Sequence, residues 1–311
     1  MRRLFNRKVR RTREALFAFC NTIIFIFKWN KNNNVNEKEI KIIGMQRTGN
    51  HAIVNWIYSQ CDELKCVLNN IPLNRNPFIA FSKRGTVKEF DQNFKQKLNI
   101  TAERLGFFAR KKLLIYTYED ELVQDVFNKF SSKKHDSWVG KSKIKYDLLI
   151  IRDPFNLFAS RLKRDDNNIK NRYSLRNKLQ REKVVSLWKN HAREFLGDTD
   201  YLSENKVCVN YNLWFTEKKY RKQLAEKLNI KFTDQSINEV LHIGGGSSFD
   251  RTELNNEASK MKVLERWQEF AEDEGFISIF KDKEIIELYN RIFAGTTGEP
   301  TGRIKEFLAS L

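Results

Sequence analysis

The stretch IKIIGMQRTGNHAIVNWIY, Ile40 to Tyr58, changes its hydrophobic period midway. Ile40 to Met45 is a short β-branched run, Arg47 to Asn50 is a turn, and beyond His51 the apolar residues Ile53, Val54, Trp56 and Ile57 recur at helical spacing. The stretch therefore reads as strand, tight turn and helix. Such a turn gathers backbone N–H groups at a helix N-terminus, where the helix dipole favours negative charge. Gly49 lets the backbone approach an anion, Thr48 and Asn50 offer side-chain donors, and Arg47 adds a fixed positive charge. The loop lacks G-x-x-x-x-G-K-S/T, so the phosphate lysine and magnesium hydroxyl of an ordinary nucleotide triphosphatase are missing. Taken alone, it also fits a capped helix after a turn.

Further apolar runs follow downstream: Lys112 to Tyr118 (KLLIYTY), Lys145 to Ile151 (KYDLLII) and Lys206 to Asn210 (KVCVN). Helical spacing is expected over Val87 to Leu98, Ala102 to Phe108, Glu121 to Phe130, Asn156 to Arg164, Ser174 to Phe195, Lys218 to Leu228 and Thr233 to His242. Asn69 to Thr86 reads as loop. Continuously apolar strands separated by helices predict an α/β fold with three α/β/α layers around a central parallel sheet. No internal repeat or second domain boundary is visible.

The chain has 311 residues, 41% apolar and 13% aromatic with 24 Phe, which excludes a disordered or collagen-like polymer. Its 57 Lys and Arg outnumber 39 Asp and Glu, a formal +18 that favours anionic partners or reflects a solvated basic surface. Much of the surplus opens the chain, at Arg2, Arg3, Arg7, Lys8, Arg10, Arg11 and Arg13. The uncharged run Ala15 to Phe27 that follows would reach roughly 20 Å as a helix, short of a ~30 Å hydrocarbon core. It fits either an interfacial membrane contact through residues 1–29 or a helix packed on the domain. Residues 1–38 are thus a basic and apolar leader with a polar linker, and 39–311 the folded domain. Cys20, Cys61, Cys66 and Cys208 form no C-x-x-C pair and read as free thiols of a reducing, cytoplasmic compartment. No spacing of His, Cys and carboxylates suggests a metal.

A second anion clamp follows the strand KYDLLII. Arg152 stands at its carboxyl end and Ser160 on the next helix, at the edge where open α/β sheets bind ligands. Two clamps imply two separate phosphates.

Here the residues resemble the sulfotransferases that use 3′-phosphoadenosine-5′-phosphosulfate (PAPS). Gln46 to Asn50 looks like a variant of their P-K-S-G-T-like 5′-phosphosulfate loop. Arg152-Asp153-Pro154 with Ser160 is similar to their 3′-phosphate motif. Trp188 and His191 resemble their W-x-x-H helix, Val207 to Tyr211 their strand ending in Y-E-D, and Ser247 to Asp250 their T-S-F-D segment. The likeness runs in order over about residues 39 to 292.

The resemblance implies a P-loop-like sulfotransferase fold. It puts Arg47, Thr48, Gly49, Asn50 and His51 around the 5′-phosphosulfate and Arg152 and Ser160 on the 3′-phosphate. Tyr211, Ser248 and Phe249 would lie near the adenosine, with Phe249 stacking on the base. Arg47 replaces a common lysine and Ala52 an expected aromatic. Near Trp267, Lys260, Lys262 and Arg266 stand in for the family's basic glycine-containing loop. Arg47 keeps the positive charge but cannot donate a proton, so its help to the leaving group would be electrostatic. Glu119, at the end of the second long strand, is the expected general base, with His51 as the alternative. Glu119 also fits a plain acidic residue before a helix.

The implied activity is sulfuryl transfer from PAPS to a hydroxyl or amine of a carbohydrate or glycolipid acceptor. A catalytically silent PAP/PAPS- or nucleotide-binding protein is the alternative, and no specific nucleic-acid partner is expected. The acceptor pocket would come mainly from Asn69 to Phe108 and Arg164 to Arg176.

Overall fold

The strand sequences are apolar at consecutive positions because both their faces are covered. The computed structural model describes residues 34–84, 98–127, 129–166, 174–202, 204–242 and 246–310. Its elements run β1 (Asn36–Gly44), α1 (Asn50–Ser59), β2 (Lys65–Leu68), α2 (Pro77–Arg84), α3 (Ile100–Arg104), β3 (Lys111–Glu119), α4 (Val123–Val126), α5 (Lys129–Val139), β4 (Ser142–Ile151), α6 (Pro154–Asp166) and α7 (Lys178–Leu196). After these come β5 (Val207–Asn210), α8 (Tyr211–Thr216), α9 (Lys218–Lys227), α10 (Glu274–Phe280), α11 (Lys283–Ile292) and α12 (Ile304–Ala309).

The five strands form one parallel sheet in the order β2-β3-β1-β4-β5. Ile40, Ile42, Ile115, Leu148 and Val209 point to one face, under Ile53, Val54 and Trp56 of α1 and Leu224 of α9. On the other face Leu114 and Tyr116 pack with Val139 of α5, and Ile43 and Leu149 with Val123 of α4. This is the expected three-layer α/β/α architecture. A further cluster, where Phe155 of α6 stacks on Phe280 at 4.3 Å and Phe276, Tyr289 and Phe307 surround them, accounts for many of the phenylalanines.

Several elements differ from the sequence reading. Thr233 to His242 forms turns, because Asp234 and Ser236 sit at φ 56° and 61° and the Asp234 carboxylate is held by Arg221 and Trp56. Inside the supposed loop Asn69 to Thr86, β2 lies just upstream and α2 forms from Pro77, where Asn76 Oδ1 accepts from the Phe78 and Ile79 N–H groups. Glu121 to Phe130 is not one helix but the short α4 followed by α5. Most of the helix expected over Val87 to Leu98 lies outside the described residues, as do residues 1–33 of the leader with Ala15 to Phe27, while Asn36 to Lys38, placed in the linker, already belong to β1. Among the described residues no helix is long and apolar enough to cross a membrane, and no group of His, Cys, Asp and Glu could hold a metal ion.

His135 sits on α5 against the buried Glu39 of β1. The Glu39 carboxylate accepts from Tyr116 Oη at 2.6 Å, His135 Nε2 at 2.6 Å and Ser142 Oγ. Burial alone would raise the Glu39 pKa, but the His135 charge and these hydrogen bonds bring it down to about 2. A depressed carboxylate contributes stability that is present above its unfolded value of 4.5 and is lost as pH falls through about 2. Glu39→Gln is therefore expected to destabilise by roughly 2–4 kcal/mol at pH 6. Denaturant melts should show the gap to wild type closing as pH falls from 4.5 towards 2.

Candidate functional site

Register places the candidate residues. Gly44 at the end of β1 pairs with Glu119 on β3 and with Ile150 on β4, so three strand ends lie level. β1 leads away to one side of the sheet and β4 to the other, which makes the gap between them the switch point where ligands bind in such folds. A cavity of about 390 Å³ opens there, within the range for a drug-sized ligand.

The turn after β1 is tight. Arg47 and Gly49 have φ of 72° and 91°. Thr48 Oγ1 lies 2.6 Å from the Met45 carbonyl, which also accepts from Asn50 Nδ2 at 3.1 Å. α1 then begins at Gly49 with no side-chain cap and no acid in its first turn, leaving its dipole uncompensated. A Cβ on Gly49 would meet the Tyr211 ring at 2.0 Å, so glycine is needed for space as well as conformation. α6, by contrast, is capped from within, because Asp153 Oδ1 accepts from the Asn156 N–H at 2.8 Å.

Arg152, only 2% exposed, has no carboxylate partner among the described residues. Its Nη1 donates to the Arg47 carbonyl at 3.1 Å and to Ser160 Oγ at 3.3 Å, and its Nη2 to the Val263 carbonyl at 2.7 Å. Nε is buried without an acceptor. Arg266 donates to the same Ser160 hydroxyl at 3.4 Å, and Asp250 pairs with it at 3.0 Å. With both lone pairs facing guanidinium groups, Ser160 keeps its proton for an anion. Trp188 Nε1 donates to the Arg152 carbonyl at 3.0 Å, while His191 bonds the Glu121 carbonyl at 2.9 Å, so the W-x-x-H helix braces this strand end.

Arg47 reaches across the cavity to the Gly246 carbonyl at 3.0 Å. Burial, reinforced by the charge of Arg164, pushes its pKa down to about 10. Burial and the Arg266 charge bring Arg152 to about 10. Both stay protonated at neutral pH, and a polyanion would relieve the repulsion that each feels from neighbouring arginines.

Glu119 lines the same cavity, and its Oε1 accepts from Asn50 Nδ2 at 3.3 Å. His51 Nε2 is 3.7 Å from that oxygen. The Thr117 hydroxyl accepts from the Asn70 N–H at 2.6 Å and so donates to Asn69 Oδ1 at 3.0 Å. That fixes the Asn69 amide with Nδ2 facing His51 Nε2 at 3.2 Å, so the ring's lone pair there is engaged.

Of the candidate residues, Arg47, Gly49, Asn50, His51, Glu119, Arg152, Ser160, Tyr211 and Ser248 all border the cavity. Thr48 is buried within the turn. The buried Ser248 hydroxyl has no hydrogen-bond partner among the described residues. Phe249 lies outside the lining, its ring covered by the Arg266 guanidinium at 5.0 Å and packed on the core. Lys260 and Lys262 pair outward with Glu257 and Glu265, and of the late basic residues only Arg266 reaches the site. Arg164, one turn beyond Ser160 and the first residue of the expected acceptor stretch, lines the cavity, whereas sequence reasoning missed Trp214 and Phe215, which line it as well. The aromatic run YNLWF was the available signal for these rings.

No protein-family model and no curated protein matches this chain. Among solved structures it is similar to a mouse sulfotransferase, SULT7A1 complexed with PAP, at 12% identity and a TM-score of 0.46, covering 82% of this chain and 89% of that one. It is also similar to the sulfotransferase domain from the curacin biosynthetic pathway, at 12% identity and a TM-score of 0.35, covering 71% of this chain and 82% of that one.

Gly49→Ala tests the turn geometry. Positive φ and the clash with Tyr211 together are expected to cost more than about 2 kcal/mol, read as a lower denaturation midpoint.

Proposed function

We propose that this chain is a PAPS-dependent sulfotransferase acting on a hydroxyl or amine of a carbohydrate or glycolipid acceptor. The observation that carries the reading is one cavity holding two arginine clamps, neither salt-bridged to a carboxylate among the described residues, with Glu119 in the same wall. Arg152, Ser160 and Arg266 suit the dianionic 3′-phosphate, because two guanidinium groups converge on one hydroxyl there. Arg47 and the uncapped N-terminus of α1 suit the phosphosulfate. Trp214 and Phe215 offer the base an aromatic wall where Ala52 leaves room, a role first expected of Phe249.

In the transfer the acceptor oxygen or nitrogen bonds to sulfur as the bridging S–O bond to the 5′-phosphate breaks. The acceptor's proton passes to Glu119, and the charge left on the 5′-phosphate is held by Arg47 and the α1 dipole. Glu119 suits the base role better than His51, whose Nε2 is engaged by Asn69.

Calorimetric titration with PAP of Arg47→Ala and Arg152→Ala, checked for cooperative melting, should show losses of about tenfold to a hundredfold each. Unchanged binding by both would sink the reading. Glu119→Gln should retain PAP affinity while kcat for labelled sulfate transfer falls by about 10²–10⁴.

A further inference from the structure

The donor's two anionic ends leave one cavity cation without a role. Arg164 stands four residues beyond Ser160 on α6, one helical turn along the same face, and lines the cavity. It lies towards the acceptor base: Nη1 donates to Gln46 Oε1, the Gln46 N–H donates to Asp120 Oδ1 at 3.0 Å, and Asp120 directly follows Glu119. Three carboxylates, Asp165, Asp120 and Glu119, act on its charge, and each has another partner, Glu119 accepting from Asn50 Nδ2 at 3.3 Å. Asp120 pairs with Arg161, and Asp165 Oδ2 accepts from the Leu175 N–H at 2.7 Å. A half-buried guanidinium thus faces the reacting edge of the cavity with a neutral amide as its partner, and burial beside the Arg161 charge lowers its pKa.

We infer that Arg164 binds an anionic group on the acceptor, so that the acceptor is an acidic glycan bearing a carboxylate or an existing sulfate ester close to the hydroxyl or amine that is sulfated. The inference rests on the sulfotransferase reading and deepens it by giving the substrate class. An anion seated there offsets its charge, whereas a neutral acceptor leaves the half-buried guanidinium with the neutral Gln46 amide as its hydrogen-bond partner.

The test uses the full chain, labelled PAPS and three forms of one tetrasaccharide: uronate-bearing, carboxyl-reduced, and carboxyl-reduced with one sulfate ester. Transfer to at least one charged form should exceed transfer to the neutral form by tenfold or more, and the better charged form identifies the anion. Arg164→Gln should raise KM for that form by about tenfold to a hundredfold, with kcat within a few fold, PAP affinity within twofold and partial rescue by Arg164→Lys. Equal transfer to neutral and charged forms, or no transfer to either charged form while PAP still binds, overturns the inference. So does an equal loss of kcat with every form in Arg164→Gln, which would place Arg164 on the sulfuryl group. Failure of the wild-type chain to bind PAP instead removes the sulfotransferase reading beneath it.

Discussion

Gly44 hydrogen-bonds into the sheet between Glu119 on one neighbour and Ile150 on the other, and that register sets everything at the site. A one-residue slip of β1 would turn Ile40 and Ile42 from one buried face to the other, so packing locks the register firmly. Because the strand ends are level, the loop carrying Arg47, the carboxylate of Glu119 and the guanidinium of Arg152 meet although they are far apart in sequence. The crossover from β3 to β4 passes β1, which opens the gap between divergent loops.

Burying several arginines around one gap is unfavourable, and the chain deploys its acids selectively. Asp120 neutralises Arg161, and Asp250 neutralises Arg266. Asp153, fully buried beside Arg152, does not form an ion pair with it; it caps α6 and accepts from Asn212 Nδ2 at 2.8 Å. Arg152 is held by neutral carbonyls and a hydroxyl, which orient a guanidinium without cancelling its charge. The pocket therefore keeps a positive field where a ligand would sit and shields its supporting arginines.

What could be read from sequence followed from local rules. The period change around Arg47 to Asn50 reports a strand, turn and helix because each part obeys its own spacing, and the β3 and β4 runs were legible because burial on both faces makes them apolar throughout. The Thr233 to His242 segment misled because its apolar spacing is helical while its conformation is set by Asp234, gripped by Arg221 and Trp56 from distant elements. His135 was opaque for a similar reason, since its partner Glu39 is 96 residues away. Arg152 and Ser160 were legible as a spaced pair on one strand end and its helix. Phe249 was not: nothing local shows that Arg266 covers its face.

The two clamps are one mechanical unit. Arg152 donates to the Arg47 carbonyl, and that carbonyl is presented because Arg47 adopts a positive φ. The same guanidinium lies 5.0 Å over the Tyr211 ring, whose edge abuts Gly49 and stacks at 5.9 Å on Trp214. Tyr211 thus fixes how near the phosphate turn can approach the strand-end arginine, and hence the spacing between the two positive centres. The hydroxyl of Ser160 ties Arg152 in turn to Arg266. Under the proposed function, that spacing would favour a ligand with two anionic ends over a single phosphate. The two centres have different kinds of support: Arg47 extends from a tight left-handed turn and donates to the Gly246 carbonyl at 3.0 Å, whereas Arg152 is immobilised at a strand end by two carbonyls and a hydroxyl. Under the proposed transfer, one centre would follow the group whose geometry changes and the other would keep the rest of the donor in place.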